Sequence, residues 1–161
     1  MNKKILFYDL KGVEHSPSDL NKVSFRPTVY IFVKNKKNEL LTIIDEISNK
    51  REIPGGGVEI GEELYDSCIR ELLEETGYKI KLDSDLPFYI EKDMSYYNHK
   101  DKFVHSLNMY FTAKLESEIP EKQNFAEDEN ILEVSFIDIN ELNINEFVDY
   151  QKKAIKKYLN K

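Results

Sequence analysis

Residues 55–78 of the chain read GGGVEIGEELYDSCIRELLEETGY, and this stretch differs in composition from everything around it. It contains five of the six glycines, and seven acidic residues against a single basic residue give it a net charge of −6. The whole chain carries −7, so the other 137 residues are together close to neutral. Glycines followed by an acidic, helix-forming segment predict a loop that leads into a helix with one specialised face.

The acidic part of this stretch is predicted to be a helix from Glu62 to Thr76, with Gly77 in the position that commonly follows a helix. At 3.6 residues per turn, Glu71, Glu74 and Glu75 leave the helix on one face. An ordinary solvated helix would place basic residues among them, because like charges at this spacing repel. Three adjacent carboxylates suit a hard cation such as Mg²⁺. A merely solubilising surface is the simpler alternative.

The glycine triplet Gly55-Gly56-Gly57 follows Pro54, which excludes a helix at this point of the chain. Glycine backbone reaches conformations closed to other residues and can therefore approach an ion or a phosphate closely. The same triplet would also suit a plain hairpin. The triplet gains significance from the glutamates that follow it at a fixed distance.

The glycine and the glutamates together resemble the Nudix box, which is Gly-x5-Glu-x7-Arg-Glu-U-x-Glu-Glu-x-Gly-U, where U is bulky and apolar. Its fixed positions fall here on Gly56, Glu62, Arg70, Glu71, Leu72, Glu74, Glu75 and Gly77. Only Tyr78 departs from the pattern, being aromatic where an aliphatic residue is usual. Residues 53–59 and 133–142 look like the family's approach to the box and its closing strand and turn.

The resemblance implies an α+β protein with the Nudix-type α/β/α sandwich and a mixed central sheet, in a single domain over residues 1–161. It further implies a Mg²⁺- or Mn²⁺-dependent pyrophosphohydrolase in which water attacks a nucleoside diphosphate linked to a variable group X, for example a (d)NTP. The implied metal ligands are the Gly56 carbonyl and the carboxylates of Glu71, Glu74 and Glu75. Homodimers are common in the family, so a dimer is compatible with this interpretation.

The roles of individual side chains follow from the same resemblance. Glu74 or Glu71 is expected to act as general base. Arg70 is expected to orient the glutamates by ion pairing with Glu62 or Glu74, and Glu62 is assigned a supporting role. Further ligands or bases outside the box are sought among His105, Glu127, Asp128 and Glu129, although a purely structural role is the simpler expectation for each of these four residues.

The sequence indicates the substrate less clearly than the reaction. Where ADP-ribose members tend to carry a proline, this chain has Lys92 and Asp93; near the tyrosine of dinucleoside-polyphosphate members it has Tyr96 and Tyr97. Tyr96, Tyr97 and Phe103 are candidates for stacking on a base. Dinucleoside polyphosphates and nucleotide sugars are therefore alternative substrates. Two other hypotheses are a nucleotide-sensing module that does not cleave its ligand and a protein whose acids bind a structural cation.

The remaining sequence predicts a mixed fold and its surroundings. Strands are predicted at 28–33, 40–44, 78–82, 88–91, 103–115 and 133–139, a loop at 117–130 and a second helix at 148–159. Cys68 is the single cysteine and lies on the apolar helix stripe with Tyr65, which excludes an intramolecular disulfide and favours a core position.

Composition sets the expected surroundings of the protein. With 40% hydrophobic and 33% charged residues and no apolar run of membrane-spanning length, a cytoplasmic protein with no membrane segment is expected. An acidic chain also disfavours a nucleic-acid polymer as partner, because binding phosphates requires a basic face. A small nucleotide that arrives with metal ions is not excluded by the same argument.

Overall fold

The computed structural model describes residues 4–121 and 130–160, which contain ten strands, two α-helices and five short 3-10 helices. The strands are β1 Phe7–Tyr8, β2 Glu14–His15, β3 Val23–Lys34, β4 Glu39–Asp45, β5 Arg51–Glu52, β6 Gly55–Gly57, β7 Ile80–Leu82, β8 Tyr89–Tyr97, β9 Lys102–Leu115 and β10 Ile131–Asp138. The α-helices are α1 Leu64–Thr76 and α2 Lys152–Leu159.

One mixed sheet organises these strands in the order β10-β4-β3-β9-β8-β1-β2, with β5, β6 and β7 paired beside β4, β3 and β9. The two longest strands, β3 and β9, run parallel along its centre, and β1 also lies parallel to β8. The other pairs are antiparallel. The predicted mixed central sheet is therefore confirmed.

The layers of the sandwich follow from the alternation of side chains along β3, which is buried on both faces. Val29, Ile31 and Val33 pack with α1 residues in one core cluster. Tyr30 and Phe32 pack with α2 residues in a second cluster on the opposite face. Because successive side chains of a strand point to opposite faces, a continuous apolar run is what a strand between two helices requires.

Helix α1 begins at Leu64, two residues after its predicted start, and ends as predicted at Thr76; the following Gly77 has a left-handed φ of 73° and donates its N–H to the Leu73 carbonyl. Cys68 and Leu72 are fully buried against the sheet. Tyr65 was expected on the same apolar stripe, but it is exposed; in the same first turn it is Leu64 that packs against the core cluster.

The predicted second helix was wrong at its beginning. Val148 has extended backbone and donates its N–H to the Arg51 carbonyl, so a 3-10 turn at Asp149–Gln151 intervenes and α2 starts only at Lys152. Tyr78 likewise precedes its predicted strand, which begins at Ile80. Among the described residues, no helix is long and apolar enough to cross a membrane.

Candidate active site

The glycine strand β6 lies between the central strand β3 and helix α1. Gly55, Gly56 and Gly57 pair with Tyr30, Val29 and Thr28 of β3. A Cβ atom on Gly56 would lie 2.4 Å from Oε2 of Glu71, so the absence of a side chain at this position leaves room for the glutamate. The sequence predicted that the glycine backbone could approach an ion or a phosphate closely. In the structure, the Glu71 carboxylate occupies the space beside Gly56.

Glu71 and Glu75 come from successive turns of α1 and are both largely buried beside the glycine strand. The Gly55 N–H donates to Oε2 of Glu75 at 2.7 Å. Both glutamates line a cavity of about 260 Å³, here called the glutamate cavity. A solubilising surface requires exposed charges, and these two carboxylates are buried. Because burying a carboxylate is unfavourable, carboxylates are rarely buried without a partner, and a solubilising role does not explain this pair.

The lining of the glutamate cavity also includes cross-strand rows of polar residues from β3, β9 and β8. Arg26 pairs in register with Ser106, and Ser106 with Asp93. Thr28 pairs with Asn108 in the next row, where the Thr28 hydroxyl donates to Oδ1 of Asn108 at 2.7 Å. Arg26 is the one basic side chain among the described residues that line this cavity.

Arg70 ties the acidic helix to the loop before it. Its guanidinium forms a two-pronged pair with Glu62, at 2.8 and 2.9 Å, and donates to the Gly57 carbonyl at 3.0 Å. The remaining nitrogen, Nη1, donates to Glu71 at 2.8 Å and to Glu74 at 3.0 Å. The structure thus pairs Arg70 with both residues that the sequence offered as alternatives, and with Glu71 as well.

This network shifts the pKa of its members in the direction expected for paired charges. The hydrogen bonds from Arg70 are the largest cause that lowers the pKa of Glu62 to about 2, and Ser67 adds another through its hydroxyl. The carboxylates raise the pKa of Arg70 further above its ordinary value, those of Glu62 most. Glu62 is therefore ionised throughout the physiological range and acts as an anchor for Arg70.

Glu74 differs from its two neighbours. Its side chain is 37% exposed, and Glu74 is not among the residues that line the glutamate cavity. Across residues 4–121 and 130–160, no group of three or more His, Cys, Asp or Glu side chains is arranged as it would be around a metal ion. Glu71 and Glu75 nevertheless offer hard oxygen donors, and Mg²⁺ in proteins usually takes one or two carboxylates plus waters and substrate phosphates.

The three aromatic residues predicted to contact a base differ in the cavities that they line, although the rings of Tyr96 and Phe103 contact each other at a centroid distance of 4.6 Å. Tyr97 lines the glutamate cavity and also a larger cavity beside it, and Tyr96 lines only the larger one. Phe103 lines neither of these two cavities and packs edge-on against Phe7 at a centroid distance of 5.1 Å. Tyr97 is thus the candidate that the fold brings closest to the glutamates.

The other candidates lie away from the glutamate cavity. His105 packs edge-on against Phe25 on the opposite face of β9 from Ser106. Cys68 is fully buried, and burial raises its pKa to about 12, which suits a core residue and not a nucleophile. Glu127, Asp128 and Glu129 lie outside the described residues.

Glu52 was missed by sequence reasoning. It lines the glutamate cavity at the end of β5, where Tyr150 donates its hydroxyl to Oε2 at 2.6 Å and Ser48 donates to Oε1 at 3.2 Å. Loss of solvent is the largest cause that raises the pKa of Glu52 to about 7. A carboxyl that titrates near neutrality inside a cavity is typical of functional sites.

The sequence does contain a signal for the wall of the cavity that β8 forms. Glu91, Asp93, Ser95 and Tyr97 occupy alternate positions of one strand and therefore share one face of it. Such a polar face on a strand next to the centre of the sheet indicates a lined cavity. The predicted strand stopped at Glu91, so this pattern fell outside it.

A sequence model of the NUDIX domain matches residues 24–158, and the chain therefore belongs to the NUDIX domain family. Its structure resembles the crystal structure of a MutT NUDIX hydrolase from Burkholderia pseudomallei, with a TM-score of 0.64 over 83% of this chain and 97% of the other, at 17% identity. The predicted family and the predicted sandwich fold are confirmed by these two findings.

Two curated relatives match over shorter stretches. One is a Bacillus subtilis protein named provisionally as an 8-oxo-dGTP diphosphatase, 32% identical over 60 residues, which are 37% of this chain and 40% of the relative. The other is an RNA pyrophosphohydrolase from Bartonella quintana, 40% identical over 60 residues, which are 37% of this chain and 32% of the relative. The chain thus matches less than half the length of these curated relatives.

Proposed function

We propose that this protein is a divalent-metal-dependent pyrophosphohydrolase that cleaves the phosphoric anhydride of a small nucleotide, such as a (d)NTP or another nucleoside diphosphate derivative. The observation that carries this proposal is the pair of buried carboxylates, Glu71 and Glu75, facing one cavity beside the glycine strand. Dinucleoside polyphosphates and nucleotide sugars remain alternative substrates of the same chemistry.

Mg²⁺ or Mn²⁺ would be held by Glu71 and Glu75, with the Gly56 carbonyl and Glu74 as the further ligands that the box predicts. Bound there, the cation supplies charge neutralisation for the phosphates and a more acidic water. The fit is supported by the donor set, which is all oxygen, and by the space that Gly56 leaves around the Glu71 carboxylate. Arg70 would keep Glu71 oriented through its hydrogen bond at 2.8 Å.

Other side chains of the site would bind the phosphate and accept the proton of the attacking water. Arg26, whose guanidinium lies against Gly57 of the glycine strand, provides a positive charge for a phosphate oxygen and can form two hydrogen bonds to it. A carboxylate must accept the proton of the attacking water. Glu71 and Glu74 remain the predicted candidates, and Glu52, with its pKa near 7, is a third that the fold adds.

The charge of the chain favours a compact substrate over a polymer. Apart from Arg26 the glutamate cavity offers no basic side chain among the described residues, so a long phosphate backbone would meet mostly carboxylates. A cytoplasmic location and a homodimer agree with this function and stay predictions. The name of the Bartonella relative does not change the argument for this chain.

The test is hydrolysis of a panel of dNTPs, NTPs, dinucleoside polyphosphates and nucleotide sugars, with Mg²⁺ or Mn²⁺ and with EDTA. Carrying out the reaction in ¹⁸O-water and reading the products by ³¹P NMR identifies the phosphorus that water attacks. We expect metal-dependent release of a nucleoside monophosphate or of inorganic phosphate from at least one class. No turnover anywhere on the panel would overturn the proposal, and tight binding without turnover would favour the sensing module.

A further inference from the structure

A second cavity of about 460 Å³ adjoins the glutamate cavity and is lined in part by the same residues. The shared residues are Glu52, Asp93, Ser95, Tyr97 and Tyr150. The two cavities therefore lie side by side, and a molecule whose phosphates lie against the glutamates would have its other end next to the second cavity. Its volume lies in the range usual for pockets that bind small molecules.

The outer wall of this second cavity comes from the start of the chain. Strands β1 and β2 form a hairpin on the edge of β8, and Tyr8, Asp9, Leu10 and Gly12 of this segment line the cavity. These residues precede the region 24–158 that matches the NUDIX domain. The cavity, here called the hairpin pocket, therefore has a wall that the domain common to the family does not supply.

The hairpin pocket is rich in hydrogen-bond acceptors. Its acidic lining residues are Asp9, Asp45, Glu52, Glu91, Asp93 and Asp149. The lysines that line it are Lys50, Lys92 and Lys153. This excess of carboxylates disfavours a second phosphate-rich group and favours an uncharged group that donates hydrogen bonds.

Glu91 is the acceptor with the most unused capacity. Its side chain is 11% exposed, and Oε2 accepts from Tyr89 at 3.2 Å and lies 3.6 Å from Nζ of Lys153. Its other oxygen, Oε1, is buried and has no hydrogen-bond partner among the described residues. Leaving a buried acceptor unsatisfied is unfavourable. A carboxylate has about four lone-pair sites, so Glu91, which lines the pocket, keeps acceptor capacity beyond its contacts with Tyr89 and Lys153.

We propose that the hairpin pocket holds the nucleobase of the substrate and that Glu91 accepts a hydrogen bond from an exocyclic amino group of that base. The proposal rests on the proposed function for the placement of the phosphates. Tyr97, which lines both cavities, contributes an aromatic wall between base and phosphates. Glu91 is thereby a specificity-determining residue, and the reaction at phosphorus does not involve it.

The test compares nucleotides that differ only in the amino group: ATP with purine riboside triphosphate, CTP with 2-pyrimidinone riboside triphosphate, and GTP with ITP. We expect at least one pair in which losing the amino group lowers kcat/KM about tenfold or more, through KM, because a hydrogen-bonding site rejects an analogue that leaves it unpaired. In Glu91→Leu this difference should disappear, while Glu91→Gln, which keeps an acceptor oxygen, should retain part of it.

Lys156→Met is the matched control, because it removes an exposed lysine of the same helix that lines neither cavity. It should keep the discrimination between amino and amino-free nucleotides. Equal kcat/KM within every pair, a preference for the amino-free member, or discrimination that survives in Glu91→Leu would each overturn the proposal.

A binding measurement separates this proposal from the proposed function. Adenosine, cytidine and guanosine, each with its amino-free partner, are titrated into the ¹⁵N-labelled protein in EDTA, where neither metal nor catalysis takes part. Amino-dependent shifts of the Leu10, Gly12 and Glu91 amides support the pocket even if no nucleotide is hydrolysed. Turnover of nucleotides combined with no amino-dependent binding or discrimination would leave the proposed function standing and overturn the pocket.

Discussion

The glutamate cavity and the hairpin pocket share a wall but are built in opposite ways. The glutamate cavity takes Gly55, Gly56, Glu71 and Glu75 from one stretch of about two dozen residues. The hairpin pocket gathers its lining from the N-terminal hairpin, β8 and the segment before α2, which are far apart in the sequence. On the proposed assignment, the metal ligands are placed by local spacing, whereas the residues that select the substrate, like the other walls of the glutamate cavity, depend on long-range packing.

This difference separates two kinds of variant. Changes in the glutamate cavity should slow every substrate alike, because the anhydride and the attacking water are common to all of them. Changes in the hairpin pocket should reorder the substrates and leave the rate at saturation nearly unchanged.

The largest effect is expected for Glu71→Gln. Replacing a carboxylate by an amide keeps the shape of the side chain but removes the negative charge that faces the cavity. We expect kcat to fall by at least about 100-fold for every nucleotide hydrolysed, measured by steady-state kinetics with Mg²⁺. Glu63→Gln, an exposed glutamate at the start of the same helix, is the matched control and should keep full activity. A loss confined to one nucleotide would contradict the uniform role.

A somewhat smaller loss is expected for Gly56→Ala. The new Cβ would lie 2.4 Å from Oε2 of Glu71 and would force that carboxylate away from the glycine strand. We expect kcat to fall about 10- to 100-fold with little change in melting temperature, because the far end of a side chain can move at low cost. Unchanged kcat would show that the position of the Glu71 carboxylate is not critical.

Arg70→Lys tests positioning without removing the positive charge. Lysine cannot hold Glu62 with two nitrogens and bridge Glu71 to Glu74 at the same time. We expect the Mg²⁺ concentration for half-maximal activity to rise about tenfold, with a smaller change of kcat at saturating Mg²⁺. If kcat alone fell and the Mg²⁺ dependence were unchanged, Arg70 would have a direct role in the reaction.

Glu52→Gln is expected to act on a different property, the pH dependence of stability. Because the pKa of Glu52 is raised from 4.5 to about 7 in the folded protein, the protonated form is favoured there and stability is lost as pH rises through this window. The loss at pH 8 is on the order of 3 kcal/mol. The variant should melt higher than the wild type at pH 8 and nearly equally at pH 4.5. A difference independent of pH would contradict the shift.

The success of the sequence predictions also depends on whether a feature is set by local spacing or by long-range packing. The spacing of Glu71 and Glu75 on one helix, the end of α1 at Gly77 and the buried run at the centre of β3 are local properties, and the structure agrees with them. The predictions for Tyr65 and for the start of α2 were wrong, because local periodicity does not reveal that Leu64 is the first-turn residue that faces the core or that Val148 bonds to Arg51.

The alternation along β8 indicates a polar face, but the sequence does not show which cavities that face lines, for a physical reason. Asp93 reaches the glutamate cavity through its register with Ser106 of β9, and Glu52 reaches it beside Tyr150, 98 residues further along the chain. A pairing register between distant strands is decided by the packing of the whole sheet. The two-residue strands of the N-terminal hairpin are also too short to show a periodic pattern.

The central claim is that Glu71 and Glu75 form a divalent-cation site, and Mn²⁺ binding tests it most directly. Free Mn²⁺ is followed by electron paramagnetic resonance during titration of the protein without nucleotide, for the wild type, Glu63→Gln and the double variant Glu71→Gln/Glu75→Gln. We predict saturable binding to the wild type and Glu63→Gln and its loss in the double variant. Equal Mn²⁺ binding by all three proteins would contradict the account.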